Sequence, residues 1–206
     1  MSNLSPWVYI EPSVRLGSNV TIAPFVVLRG NTVVGDNVML GSFCSIVDST
    51  IGSGTMIDSS NLDGAVVGCN CQIGPFAHLR QGTVVQDNCR VGNFVETKNT
   101  TLGRGTKASH LAYLGDATFG EDCNVGCGVI VVNYDGRAKH NTTVGNNVFV
   151  GCNSNLIAPV TIGDDVFVAC GTTVDGNLPN GCMAIGRVRQ QVKPNYPHKY
   201  LKRPQR

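Results

Sequence analysis

Two cations, Arg80 and Lys98, lie eighteen residues apart, and each directly follows a residue suited to a strand interior, Leu79 or Thr97. If the chain coils with that period, they stack on neighbouring strands of one face, where like charges repel unless something offsets them. A bound phosphate would do so, with Lys139 as a third cation; alternatively, both long side chains splay into water. A second column consists of thiols. Cys152 and Cys170 are eighteen residues apart, and Cys127 joins them once a seven-residue insertion is subtracted. Neighbouring strands are about 4.8 Å apart, so the three thiols stack on an outer face. Identical points on three successive flat strands do not converge on the tetrahedron that zinc prefers, so no metal site is expected. A lone histidine beside apolar residues, such as His110, is more often structural than catalytic.

The elements that must position these groups are set by an aliphatic ladder with a six-residue step. Leu16, Ile22, Leu28, Val34, Leu40 and Ile46 form one run. After short slips it resumes as Val67, Ile73, Leu79, Val85 and Val91, and again as Val144, Val150, Leu156, Ile162, Val168 and Val174. Four residues after many rungs comes a small or β-branched residue, such as Val26, Thr32, Cys44, Ala77, Thr83 or Ser154. Neither a helix nor simple alternation has this period; a prism of short strands, three flats to a coil, does. Between Val131 and Val144 the step is thirteen, so the segment 133–141, Asn133-Tyr134-Asp135-Gly136-Arg137-Ala138-Lys139-His140-Asn141, is expelled from the coil as a loop.

Composition agrees with one domain over residues 1–186 followed by a basic arm, 187–206. The chain has 206 residues, 42% of them hydrophobic, with 25 glycines and few aromatics, as a narrow continuous core requires. No apolar run is long enough to span a bilayer and the start lacks a signal-peptide pattern, so a cytoplasmic protein with neither membrane nor nucleic-acid partners is expected. Arg187, Arg189, Lys193, Lys199, Lys202, Arg203 and Arg206 crowd the arm without an acid, which suits either a contact with an anionic ligand or subunit, or a solvated tail. Nine cysteines do not imply disulfides here, because Cys44, Cys71, Cys89 and Cys123 occupy small core slots.

Gly74-Pro75-Phe76-Ala77, Leu79-Arg80, Val91-Gly92-Asn93-Phe94-Val95-Glu96, His110-Leu111, Tyr113-Leu114-Gly115-Asp116-Ala117, Asn133-Tyr134-Asp135-Gly136 and Val148-Phe149-Val150-Gly151 closely resemble the acetyltransferase domain of the bacterial GlmU family. The resemblance is strong over residues 62–192 and rests on repeat register before that. It implies an all-β, left-handed parallel β-helix, assembled as a homotrimer with active sites between subunits. It also implies acetyl-CoA as donor and glucosamine-1-phosphate, or a related amino-sugar phosphate, as acceptor. By the same resemblance His110 is the general base and Glu96 the acid that orients it. Arg80, Lys98, Tyr113 and Lys139 hold the sugar phosphate, Asn124, Asn133 and Tyr134 contact sugar or acetyl, and the Cys127 N–H faces the oxyanion. Cys127, Cys152, Cys170 and Arg187 fall at positions lining the coenzyme channel.

The departures are concentrated in that channel. The three cysteines stand where the family usually has alanine or serine, and Val129 replaces a usual threonine. His78, where arginine is common, falls one coil from Glu96 and is placed to pair with it. No segment resembles the family's uridylyltransferase half, so UMP transfer is not expected, and a separate uridylyltransferase is a conceivable partner. Two other readings stay open: a catalytically silent trimeric scaffold, and a carbonic-anhydrase-like metalloenzyme, for which His78, His110, His140 and His198 would have to supply three metal ligands.

Overall fold

A computed structural model describes residues 5–194, and it is a parallel β-helix, without α-helices among those residues. Strands mostly of two or three residues alternate with turns, and every pairing between named strands is parallel. The ladder side chains point inward: Leu28, Ile46, Leu79, Val91, Val150 and Leu156 are fully buried, each contributing about 1.5–3 kcal/mol relative to exposure. Cys44, Cys71, Cys89 and Cys123 are buried with them as free thiols, and those of Cys71 and Cys89 donate to the Gln86 and Gly103 carbonyls.

Three corners turn the chain, and each has its own chemistry. At the first, Asn19, Asn37, Asn70, Asn88, Asp122, Asn147 and Asp165 adopt positive φ, which short polar side chains tolerate better than most. At the second, Phe25, Phe43, Phe76, Phe94 and Leu111 do so and leave their side chains exposed. Rings stack there from coil to coil, Phe25 on Phe43 at 5.1 Å and Phe76 on Phe94 at 5.5 Å. At the third, Gly30, Asp48, Gly64, Gly82, Asn99 and Asp116 take the left-handed conformation.

One slip in the ladder, Ile57 to Leu62, falls at the second corner, at Ser59, but most arise at this third corner. The steps Ile46 to Ile51, Leu62 to Val67, Thr97 to Leu102 and Leu114 to Phe119 are five residues, and each contains one positive-φ corner residue, Asp48, Gly64, Asn99 or Asp116. Strands Glu96–Leu102 and Tyr113–Phe119 run continuously through it, which joins two flats into one seventeen-stranded sheet and leaves the third as a ten-stranded sheet. The expelled loop is a small hairpin: Tyr134 bridges Lys139 in antiparallel fashion, and the His140 N–H donates to the Asn133 carbonyl at 2.8 Å. The described arm, 187–194, contains no strand; His198, Lys199, Lys202, Arg203 and Arg206 lie outside the described residues.

Candidate active site

The candidate residues gather on three successive coils around the second and third corners. One coil supplies Arg80, the next Asn93, Glu96 and Lys98, and the next His110, Tyr113, Gly115 and Asp116. Asn133 begins the expelled loop one rung beyond Asp116, so the loop emerges from the third corner.

Strand register puts His110 in a column. Asn93 pairs with His110, and Val91, Ala108, Val125, Val150 and Val168 occupy successive rungs two residues earlier. Two residues on, the column therefore reads Asn93, His110, Cys127, Cys152, Cys170. The expected thiol stack is present, and it continues directly from the histidine. Cys127 is half-buried, whereas Cys152 and Cys170 are exposed. Arg187 donates to the Cys170 carbonyl and lies across the end of the column.

His110 is exposed, and its Nδ1 lies 2.8 Å from Asn93 Oδ1. Since an amide oxygen only accepts, Nδ1 is the donor here, and in the neutral ring the lone pair is then on Nε2. Glu96, expected to orient the histidine, is engaged elsewhere: Arg80 Nη1 donates to its Oε1 at 2.7 Å. Here the geometry departs from both pairings suggested for Glu96. His78 does stand one rung from it, but the contact is Arg80's, because the longer guanidinium reaches across the strand. Arg80 is thus already half-neutralised, and Lys98 and Lys139 carry the unbalanced positive charge.

Lys98 titrates below the ordinary lysine range, chiefly because the Lys139 ammonium is beside it. Asp116, 8% exposed, lies close to both. Burial pushes its carboxyl up, but hydrogen bonds from Asn99 and Asn133 and the two ammonium charges outweigh that and hold it below its usual value. The Asn99 Nδ2 donates to one carboxylate oxygen at 2.9 Å and the Asn133 Nδ2 to the other at 2.5 Å. An ionised carboxylate only accepts, so it fixes which end of the Asn133 amide points inward. That nitrogen also lies 3.4 Å from the Tyr113 hydroxyl.

The Tyr113 ring lies over Gly115. A Cβ on Gly115 would fall 2.4 Å from the Tyr113 hydroxyl and 2.9 Å from Asn133 Nδ2, so the missing side chain is the seat of the tyrosine. The loop carries its own clasp. Asp135 accepts from the N–H groups of Arg137 and Ala138 and pairs with His140 at 2.7 Å, so its carboxyl stays well below the usual range. Tyr134 and Lys139 are exposed on this hairpin. Asn124 lies apart from the cations, on the ten-stranded sheet between Lys107 and Phe149, on the same flat as His110.

Asn93, Gly115 and Asp116 received no role from the sequence. The signal that finds two of them is a seventeen-residue spacing, Asn93 to His110 and Asn99 to Asp116, produced by one five-residue step per coil. Among the described residues no three histidine, cysteine, aspartate or glutamate side chains converge as metal ligands, and no helix is long and apolar enough to cross a membrane.

Relatives carry the same architecture. The GMPPB C-terminal domain family matches residues 4–95, and the bacterial transferase hexapeptide family (six repeats) matches residues 141–176. Over 188 residues the chain is 46% identical to the bifunctional protein GlmU of Listeria welshimeri and 47% identical to that of Listeria monocytogenes. Each alignment covers 91% of this chain and 41% of the relative, so the chain spans well under half the length of the curated proteins it matches. Among solved structures, the Francisella novicida UDP-N-acetylglucosamine acyltransferase superposes with a TM-score of 0.62 at 19% identity, covering 87% of this chain and 65% of that one. The Moraxella catarrhalis UDP-N-acetylglucosamine O-acyltransferase gives 0.53 at 17% identity, covering 83% and 66%; both similarities concern the fold. By its repeat, its coil architecture and these identities the chain is similar to hexapeptide-repeat transferases and to the C-terminal acetyltransferase region of GlmU.

Proposed function

We propose that this chain transfers the acetyl group of acetyl-CoA to the amine of glucosamine-1-phosphate or a closely related amino-sugar phosphate. The observation that carries the reading is the pairing of an imidazole whose Nε2 is free with a cation cluster on adjoining flats. Nε2 of His110 takes the proton released as the amine attacks the thioester carbonyl, and Asn93 holds the ring in that tautomer. Lys98 and Lys139 hold the phosphate, whose negative charge relieves the repulsion between them. Arg80, tied to Glu96, borders the same pocket, while Tyr113 and Asn133 frame the sugar. The Cys127 N–H, which has no acceptor among the described residues, is the donor for the oxyanion.

The thiol column fits the donor arm: it is a straight, partly exposed track leading to His110, with Arg187 at its far end to meet phosphate. Acetyl-CoA supplies an activated acyl group there, and the chain's own residues orient it and manage the proton. The exposed apolar side chains of the second corner, from Trp7 and Phe25 to Phe94 and Leu111, support a homotrimer in which neighbours cover that edge and complete the site. A cytoplasmic location follows from such substrates.

Release of free CoA on mixing the protein with acetyl-CoA and glucosamine-1-phosphate tests the activity. No release with any amino-sugar phosphate, despite retained coenzyme binding, leaves a scaffold rather than an enzyme. His110→Ala is expected to lower kcat by about 10²–10⁴-fold, the range for a lost acid–base group, with unchanged thermal stability.

A further inference from the structure

The column that holds the proposed base contains, on three consecutive rungs, an amide, an imidazole and a thiol: Asn93, His110 and Cys127. This is the composition of a Cys-His-Asn nucleophilic triad, in which the amide fixes the imidazole through Nδ1 and Nε2 activates the sulfur. Half of that arrangement is already made, because Asn93 Oδ1 is bonded to His110 Nδ1 at 2.8 Å and the free Nε2 belongs to the residue one rung from Cys127. Adjacent rungs are separated by about 4.8 Å, which puts the sulfur and the imidazole on neighbouring rungs of one column. Nucleophile–base pairs are commonly looser before substrate binds.

The local backbone favours presentation of this thiol. Cys127 stands between Gly126 and Gly128. Gly126 has no room for a Cβ, which would meet the Cys152 N at 2.6 Å, and Gly128 turns the chain at a φ of 77°. The buried core thiols differ in kind: Cys71 and Cys89 donate to backbone carbonyls, whereas Cys127 makes no hydrogen bond through its sulfur among the described residues and is partly open to solvent.

We infer that Cys127 is a catalytic nucleophile that carries the acetyl group between donor and acceptor, a deepening that rests on the acetyl-transfer reading above. In the first half-reaction His110 Nε2 takes the thiol proton and the Cys127 sulfur attacks the acetyl carbonyl of acetyl-CoA. The bond from carbonyl carbon to coenzyme sulfur breaks, and CoA leaves as its thiol with the proton returned by His110. In the second, the acceptor amine attacks acetyl-Cys127, His110 takes the amine proton and passes it to the departing Cys127 sulfur, and the amide is released. One thioester is exchanged for another and then consumed, so no oxidant or further reactant is needed.

The test is exchange of isotopically labelled CoA into unlabelled acetyl-CoA by the intact protein without any sugar. Peptide mapping in thiol-free buffer would locate acetylated cysteine. The expected result is exchange, an acetyl group on the Cys127 peptide that is discharged on adding glucosamine-1-phosphate, and loss of exchange in Cys127→Ala. Absence of exchange in wild-type protein that turns over with sugar, or wild-type kcat in Cys127→Ala, overturns the inference and leaves direct transfer. Exchange that persists in Cys127→Ala overturns it as well. Exchange and acetyl-Cys127 without any transfer to an amino-sugar phosphate would instead refute the acceptor assignment while upholding the nucleophile.

Discussion

Replacing Gly115 by alanine is a sharp probe of the sugar pocket, because the geometry states which atom must move. The added Cβ would sit 2.4 Å from the Tyr113 hydroxyl oxygen, 2.6 Å from the ring carbon bearing it and 2.9 Å from Asn133 Nδ2, which must give way slightly as well. Ordinary contact between such atoms begins near 3.5 Å, so the tip of the tyrosine must retreat by about 1 Å. The ring can swing outward, since Tyr113 is only half-buried. The φ of Gly115 lies outside the left-handed region, so alanine is acceptable to the backbone and slightly lowers the entropy of the unfolded chain. Stability should therefore change by less than about 1 kcal/mol in either direction. What is lost is the hydroxyl's place beside Asn133 and the ligand, a neutral hydrogen bond of about 0.5–1.5 kcal/mol. That corresponds to a rise of about two- to tenfold in the KM for the sugar phosphate, with the KM for acetyl-CoA unchanged. Steady-state kinetics of CoA release against each substrate, paired with a thermal melt, measure both quantities. An unchanged sugar-phosphate KM in a variant that melts like wild type would refute the argument that Gly115 seats the tyrosine.

Further perturbations separate the remaining parts. Asp116 titrates below its unfolded value, so its stabilisation is fully present above about pH 4. It is lost as pH falls through the folded pKa; Asp116→Asn should flatten the acid end of a melting-temperature-against-pH curve, and parallel curves would contradict this. Asp135→Ala removes the hairpin's internal acceptor and should raise the sugar-phosphate KM without altering the melting temperature, as kinetics and calorimetry would show. Arg187→Ala should raise the KM for acetyl-CoA alone, and an effect confined to the sugar phosphate would place that arginine elsewhere.

The architecture was legible from the aliphatic rungs because a fixed step survives wherever a coil has three equal sides. Val144 to Val174 keeps six throughout, and every rung there is buried. The site was harder to read because its coils are seventeen residues long. Looking eighteen residues ahead finds Lys98 from Arg80 and Cys170 from Cys152. It misses Asn93 beneath His110 and Cys127 above it, so the thiols looked like a separate feature. The contact between Arg80 and Glu96 was hidden for another reason: they are not in one column but diagonal to each other, and side-chain length decides which diagonal pair closes. Asp116 drew no reading from the sequence, and only its burial between Asn99 and Asn133 reveals a structural anion.

The rungs also grade the molecule by permanence. Leu16 is 40% exposed and Ile22 only partly buried, whereas the rungs from Leu28 to Val174 are sealed and Leu178 and Cys182 at the other end are again only partly buried. In a solenoid each coil is held by its two neighbours, so opening begins at an end and must proceed coil by coil. His110 lies several coils from the exposed rungs at Leu16 and Ile22. The amides of the first coils should therefore exchange with solvent long before those beneath the histidine. The chain can fray continually at that end while the distances on which its chemistry depends stay fixed.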